Sequence, residues 1–191
     1  MNRQKKKSYK NIHQNVINRC QSGEPKAQFQ LYKLYYKAMF NTCLRIVNDS
    51  YEAEDIMQEA FLKAFDKINL YKGEVSFGAW LKRIVINHSL DQLRKRKLDL
   101  ISMENSVYEI PQNETITEQE EITIKAEEIR DKIKLLPNGY RIVLSLYFIE
   151  GYDHDEISQI LNISNSTSRS QCARAKKKLL ELIAKPIVNK P

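Results

Sequence analysis

Asp153-His154-Asp155-Glu156-Ile157-Ser158-Gln159-Ile160-Leu161-Asn162-Ile163-Ser164-Asn165-Ser166-Thr167-Ser168-Arg169-Ser170-Gln171 is the stretch that decides the fold. Asp153 and Glu156 stand at the spacing of a capping box, in which each side chain satisfies a backbone N–H at the start of a helix. The helix they open runs to Leu161. Asn162-Ile163-Ser164 is then a tight turn: Asn tolerates the left-handed backbone position, and Ser164 is able to cap the next helix. That longer helix, over residues 165–183, begins with small polar residues and continues into Arg169, Gln171, Arg174 and Lys176, Lys177 and Lys178. A short helix, a three-residue turn and a polar-then-basic helix predict a helix-turn-helix, whose second helix enters the DNA major groove with its N-terminal side chains at base edges. The competing reading is a plain helical hairpin with a solvated lysine-rich end. Capping box, turn and basic helix in that order favour the first.

Upstream of this stretch, Leu135-Leu136-Pro137 ends one helix and starts another, residues 141–149 are strongly apolar, and Gly151 stands where a helix end wants a left-handed residue. These elements define one lobe, residues 125–185. Another lobe, residues 21–97, also reads as helical throughout. Residues 27–47 carry a wide apolar stripe through Phe29, Leu31, Leu34, Tyr35, Ala38, Met39, Leu44 and Ile46. Asp49-Ser50 punctuates it. Residues 51–68 come next, with Ile56, Ala60, Ala64 and Ile68 at four-residue spacing beside Met57, Phe61 and Phe65. On the opposite face Glu52, Asp55, Glu59 and Asp66 fall within one ~60° sector at about 100° per residue. Such a stripe is usually a solvated face; single-signed on a basic protein, it also suits a basic partner. Residues 70–75 form a loop, and Ser76 caps a helix over residues 77–97 with Trp80, Leu81, Ile84, Val85 and His88 on one side. Trp80 is read as a core residue.

Charge comes in blocks on a chain of 191 residues with net charge +7 and pI near 9.2, a balance that favours a polyanionic partner. Arg3, Lys5, Lys6, Lys7 and Lys10 have no acid among them, and residues 1–20 are read as a basic N-terminal arm. Arg94-Lys95-Arg96-Lys97 closes the first lobe. From Asp99 to Glu128 nine acids then face a single Lys125. With Pro111 and no helical apolar period, residues 98–124 read as a flexible, self-repelling acidic linker. The fold expected is therefore all-α: two small helical domains joined by that linker.

Other classes fit poorly. The apolar run of residues 142–149, interrupted by Ser145, is far too short to span a bilayer. The N-terminal lysines have no apolar stretch behind them, so no secretory signal is expected. Cys20, Cys43 and Cys172 are odd in number and scattered, which fits a reducing cytoplasm. No glycine-rich phosphate loop is present, and His13, His88 and His154 lack metal or triad partners, so no enzyme, catalytic residue, metal or cofactor is expected. A membrane-surface protein would use the N-terminal lysines, which phosphate would attract equally well. A regulator with only a helix-turn-helix leaves the first lobe unexplained.

The run Ala53-Glu54-Asp55-Ile56-Met57-Gln58-Glu59-Ala60-Phe61-Leu62-Lys63-Ala64-Phe65, then Phe77-Gly78-Ala79-Trp80-Leu81-Lys82-Arg83-Ile84-Val85-Ile86-Asn87, Asp91 and Arg94, resembles region 2 of the sigma-70 family of RNA polymerase sigma factors. Leu136-Pro137 through Glu150-Gly151, Glu156-Ile157 and residues 161–171 resemble region 4. With only these two regions, the chain resembles the extracytoplasmic-function (ECF, group IV) subfamily. The resemblance implies that Glu52, Asp55, Gln58 and Glu59 dock on the β′ clamp helices of core polymerase. It implies that Tyr71, Lys72, Gly73, Lys82, Arg83 and Asn87 capture a flipped base of the minus-ten element and help melt the DNA. It assigns the minus-thirty-five element to Ser166, Thr167, Arg169, Ser170, Gln171 and Arg174. The implied partners are core polymerase (β′ clamp helices and β flap), promoter DNA and an anti-sigma factor. Three positions depart from the family's habit: Asn162 replaces a glycine, Ser166-Thr167 replaces Gly-Thr, and Gln171 stands where a basic residue is frequent. The fold tolerates these; base preference shifts, since Gln favours adenine and Arg guanine.

Overall fold

The computed structural model describes residues 11–103 and 126–184. Among them are eight α-helices and one 3-10 turn and no strand, so the chain is all-α as expected. The chain divides into two compact units at Leu98 and Asp99.

The first unit contains α1 (Gln14–Gln21), α2 (Pro25–Val47), α3 (Ser50–Asp66), the 3-10 turn Ile68–Leu70 and, as far as Leu98, α4 (Phe77–Met103). The sequence reading placed residues 14–20 in the basic arm. They are instead a short helix that buries Ile17 and Cys20 and packs on α2. Two apolar residues one turn apart are enough to dock it, and too few to give a period in a polar segment. Pro25 suits the first helical position of α2, because its missing N–H would have no partner there anyway. Asn48, left-handed at φ 61°, ends α2, and Asp49 caps α3 by accepting from Glu52 N–H at 2.9 Å. The wide stripe read on α2 is narrower in the fold. Ala27, Leu31, Met39, Cys43, Ile46 and Val47 are buried, whereas Phe29 and Leu34 are exposed. On α3 the expected stripe is buried at Ile56, Met57, Ala60, Phe61 and Ala64, and Ile68 is buried in the adjoining 3-10 turn.

Ser76 caps α4 as read, accepting from Ala79 N–H at 3.1 Å. The buried ring of Phe77 meets Tyr35, Tyr71 and Trp80 with centroids 5.3, 5.4 and 5.6 Å away. Trp80 itself is half-buried at the edge of this cluster. α4 continues to Met103, six residues past the boundary read at Lys97; the rest of the acidic linker lies outside the described residues.

The second unit contains α5 (Ala126–Lys134), α6 (Asn138–Phe148), α7 (His154–Leu161) and α8 (Asn165–Ala184). Its core joins Ile133, Leu136, Leu144 and Ala175, with Ile129, Tyr140, Leu179 and Leu182 around them. Glu127 and Glu128 open α5, and Lys132 and Lys134 close it, in the sense the helix dipole favours. Arg141 is buried in α6; its guanidinium donates to the Leu136 carbonyl at 3.3 Å, and burial pulls its pKa below the ordinary value. Gly151 turns the chain at φ +80°, as read. Both arms of the capping box form: Glu156 N–H donates to Asp153 at 2.8 Å, and Asp153 N–H donates to Glu156 at 3.0 Å. Asn162 is left-handed at φ 56°, and Ser164 caps α8 by accepting from Thr167 N–H at 3.0 Å.

Candidate nucleic-acid interface

α3 sets the acidic stripe because its apolar face is committed to the core, leaving the opposite residues in solvent. Asp55, Gln58 and Glu59 are exposed; Glu52 is partly covered. The stripe is not electrostatically uniform. Glu52 pairs with Arg96 of the basic block on α4 at 3.4 Å, and Glu59 lies 2.7 Å from the buried His88 of α4. Asp55 keeps its charge facing outward. Tyr51 and Leu62, 83% and 69% exposed, edge the same surface. Sequence reasoning passed them over, although both fall off the apolar stripe of α3, which was the available signal.

The residues assigned to the minus-ten element separate into two groups. Tyr71 is a correction: it is buried, with its ring against Phe77 and Trp80. Its hydroxyl donates to the Val75 carbonyl at 2.6 Å and accepts from Asn11 Nδ2 at 2.8 Å. A tyrosine so held shapes the loop and offers no face to a base. Lys72 is exposed, Gly73 takes φ +70°, Lys82 is half-buried, and Arg83 and Asn87 stand one turn apart on the exposed side of α4. Asn11 and Gln21 were missed. Asn11 Oδ1 accepts from Phe77 N–H at 2.8 Å, satisfying a donor at the start of α4, and Gln21 donates to the Ile68 and Tyr71 carbonyls at 3.1 and 3.3 Å. Contacts across some fifty residues leave no trace in sequence periodicity.

On α8 the buried Ser168, Cys172 and Ala175 define the inner side. At about 100° per residue, Ser166, Ser170, Ala173 and Lys177 cluster within ~60° on the outer side. Ser166, Arg169, Ser170 and Arg174 are exposed, whereas Thr167 and Gln171 are half-buried on the flanks. Arg169 does not float. Its Nε donates to Asn165 Oδ1 at 2.8 Å, and Asn165 Nδ2 donates to Asp155 Oδ1 on α7 at 2.6 Å. That relay ties the two helices of the motif and aims a guanidinium beside the α8 N-terminus. A second tie joins His154 Nδ1 to the buried Ser168 hydroxyl at 2.9 Å, with the imidazole stacked on Tyr147 at 4.5 Å. Asn165, Asp155 and His154 were missed because their role is to hold neighbours in place.

A model of sigma-70 region 2 matches residues 31–98, and a model of sigma-70 region 4 matches residues 126–179. The ECF RNA polymerase sigma factor SigW of Bacillus subtilis is 30% identical over 172 residues, covering 85% of this chain and 92% of SigW. The ECF sigma factor SigM of the same organism is 28% identical, covering 80% of this chain and 93% of that one. The chain belongs to the sigma-70 family, in its ECF subfamily. Among solved structures, the sigma factor RpoE of Bartonella quintana, in complex with the anti-sigma factor NepR, shares the fold at TM-score 0.58 and 21% identity. That match covers 84% of this chain and 97% of RpoE. CnrH, in complex with the cytosolic domain of CnrY, shares it at TM-score 0.54 and 21% identity, over 88% and 95% of the two chains. Membership makes the chain a transcription-initiation factor with a DNA-binding helix-turn-helix.

Proposed function

We propose that this chain binds core RNA polymerase through the exposed acids of α3, reads a minus-thirty-five element with α8 and holds an unpaired minus-ten base against the loop after Tyr71 and the exposed side of α4. The observation that carries the reading is the outer side of α8: a capped N-terminus, small hydroxyl side chains and a guanidinium fixed by Asn165 and Asp155. Small residues let a helix approach base edges closely, and an arginine held in place loses little rotamer entropy on pairing with a guanine or a phosphate. On α3, Asp55, Gln58 and Glu59 suit the β′ clamp helices. Lys72, Arg83 and Asn87, with Gly73 and Lys82 beside them, offer phosphate contacts and a two-way amide for a flipped base, whose unstacking costs a few kcal/mol. Region 4 would also meet the β flap. A polymerase subunit works in the cytoplasm, and the complex of RpoE with the anti-sigma factor NepR supports an anti-sigma partner here. The role is that of a specificity subunit, without catalysis of its own.

Run-off transcription with core polymerase on a genomic promoter library tests the whole reading. Transcripts should start at a fixed distance downstream of a shared two-part motif. Core-dependent transcription without such a motif would retain the class and remove the two-element recognition.

A further inference from the structure

Asp155 lies on α7, outside the recognition helix, yet its carboxylate is bonded to α8. Its Oδ1 accepts from Asn165 Nδ2 at 2.6 Å, and Asn165 Oδ1 accepts from Arg169 Nε at 2.8 Å. This chain of bonds has a direction. An amide is nearly symmetric in shape, so packing alone does not choose between its two orientations. An ionised carboxylate only accepts, so Asn165 must turn its NH2 to Asp155 and its oxygen to Arg169. A guanidinium only donates, so that same orientation is the one that satisfies Arg169. With Nε occupied, the side-on fork of Nε and one Nη is closed. The two Nη groups remain: among the described residues they make no hydrogen bond, and Arg169 is exposed. They form an end-on fork whose paired N–H donors match O6 and N7 of guanine.

We propose that Asp155 is a specificity-positioning residue of the helix-turn-helix: without touching DNA, it sets the Asn165 amide so that Arg169 presents its end-on fork to a guanine of the minus-thirty-five element. The inference rests on the reading of α8 as the helix that enters the major groove. Removing the carboxylate frees the amide to turn over. NH2 then meets Nε–H, donor against donor, and the guanidinium is released. A released arginine keeps its charge and pairs with phosphates instead, so base discrimination falls while overall affinity for DNA holds. The start of α7 is unaffected, because its capping box is made by Asp153 and Glu156.

The test measures binding of holoenzyme, full chain with core polymerase, to promoters in which each base pair of the minus-thirty-five element is varied in turn. Arg169→Ala should mark one guanine position by loss of discrimination there. Asp155→Ala should lower discrimination at that same position by about fivefold or more, the lower end of what a bidentate contact supplies, with the other positions read as in wild type. Exchanging the pair, Asp155→Asn with Asn165→Asp, restores the polarity: the amide at 155 donates and the carboxylate at 165 accepts from Arg169. Discrimination should return to near the wild-type value. A uniform change across all positions in Asp155→Ala, with discrimination intact, makes Asp155 a structural residue and overturns the proposal. So does a loss that the exchanged pair fails to restore. Arg169→Ala weakening all sequences alike, with a salt slope lower by about one, assigns the guanidinium to phosphate and also overturns it. Ser170→Arg tests the reading beneath. If it shifts the preferred base while Arg169→Ala shifts none, the proposal falls and α8 stays in the groove; if neither alters any preference, both fall.

Discussion

The imidazole of His88 on α4 lies 2.7 Å from Glu59 on α3, with the Lys63 ammonium 2.8 Å from its other nitrogen. An ammonium only donates, so it meets Nδ1 as an acceptor and leaves Nε2–H for the carboxylate. His88 is buried, while the Glu59 side chain is half in solvent. The carboxylate therefore belongs both to the acidic surface and to the packing of α3 on α4.

Asp55 and Glu59 of that surface should respond differently to charge reversal. Asp55→Lys is expected to weaken core-polymerase binding while the melting temperature stays within a degree or two. Glu59→Lys leaves a buried imidazole without its acceptor and sets a cation beside Lys63. It should weaken binding and also cost about 1–3 kcal/mol of stability, a fall in Tm of several degrees for a unit of this size. A titration with core and a thermal melt on each variant separate the two. Equal stabilities would mean that the His88 contact carries nothing.

Loop shape and base capture are separable in the same manner. Tyr71→Phe removes a hydroxyl bonded to both Val75 and Asn11, and should cost about 1–2 kcal/mol while leaving promoter opening by the folded protein close to wild type. Lys72→Ala and Asn87→Ala touch exposed groups and should change stability by less than about 0.5 kcal/mol. They should instead reduce permanganate reactivity of minus-ten thymines at saturating holoenzyme. Wild-type reactivity in both exposed-group variants would move the unpaired base elsewhere.

Burial, opposed by the hydroxyl of Ser89, pushes the Cys43 thiol up to about 11 from an ordinary 9.0. A raised thiol means that the unfolded chain loses its proton first. Stability is unaffected below pH 9 and falls as pH rises from about 9 toward 11, by roughly 2–3 kcal/mol at the upper end. Cys43→Ala removes this contribution, so urea-unfolding free energies should converge between variant and wild type as pH rises through that window. A constant difference from pH 8 to pH 11 contradicts it. In the native state at pH 8, the three buried thiols should react with a disulfide reagent only as fast as the protein opens.

How much of this was legible in the sequence depended on the range of the cause. The capping box at Asp153, the left-handed Asn162 and the caps at Ser76 and Ser164 are local, set by side chains within three residues of the groups they satisfy, and all stand as read. The stripe of α3 was plain because four-residue spacing reports burial directly. Phe29 and Leu34 were misjudged because hydrophobicity alone does not say which apolar residues a helix buries when its stripe is wide. Tyr71 was misassigned because its partners, Asn11 and Phe77, belong to other elements. Helix α1 was hidden for the same reason: two buried residues dock it, and they acquire meaning only against α2.

The last expectation concerns which residues of α8 read bases. Ser166, Ser170, Ala173 and Lys177 share its outer line, with Gln171 half-buried on one flank and Arg169 tied back to Asn165 on the other. A helix lying in the major groove presents the start of that line to base edges, and its far end runs out beside phosphates. Ser170→Arg should therefore create a new guanine preference at one promoter position, worth about 1–3 kcal/mol against other bases. Gln171→Arg, from its flank, should shift preference less. Lys177→Ala should weaken all promoter sequences alike and lower the salt slope by about one. Binding-site selection with each variant, paired with a salt titration, distinguishes these outcomes. Should Lys177→Ala alter the selected sequence while Ser170→Arg leaves it untouched, α8 docks with its C-terminal half in the groove, and Ser164 caps an end that points away from the bases.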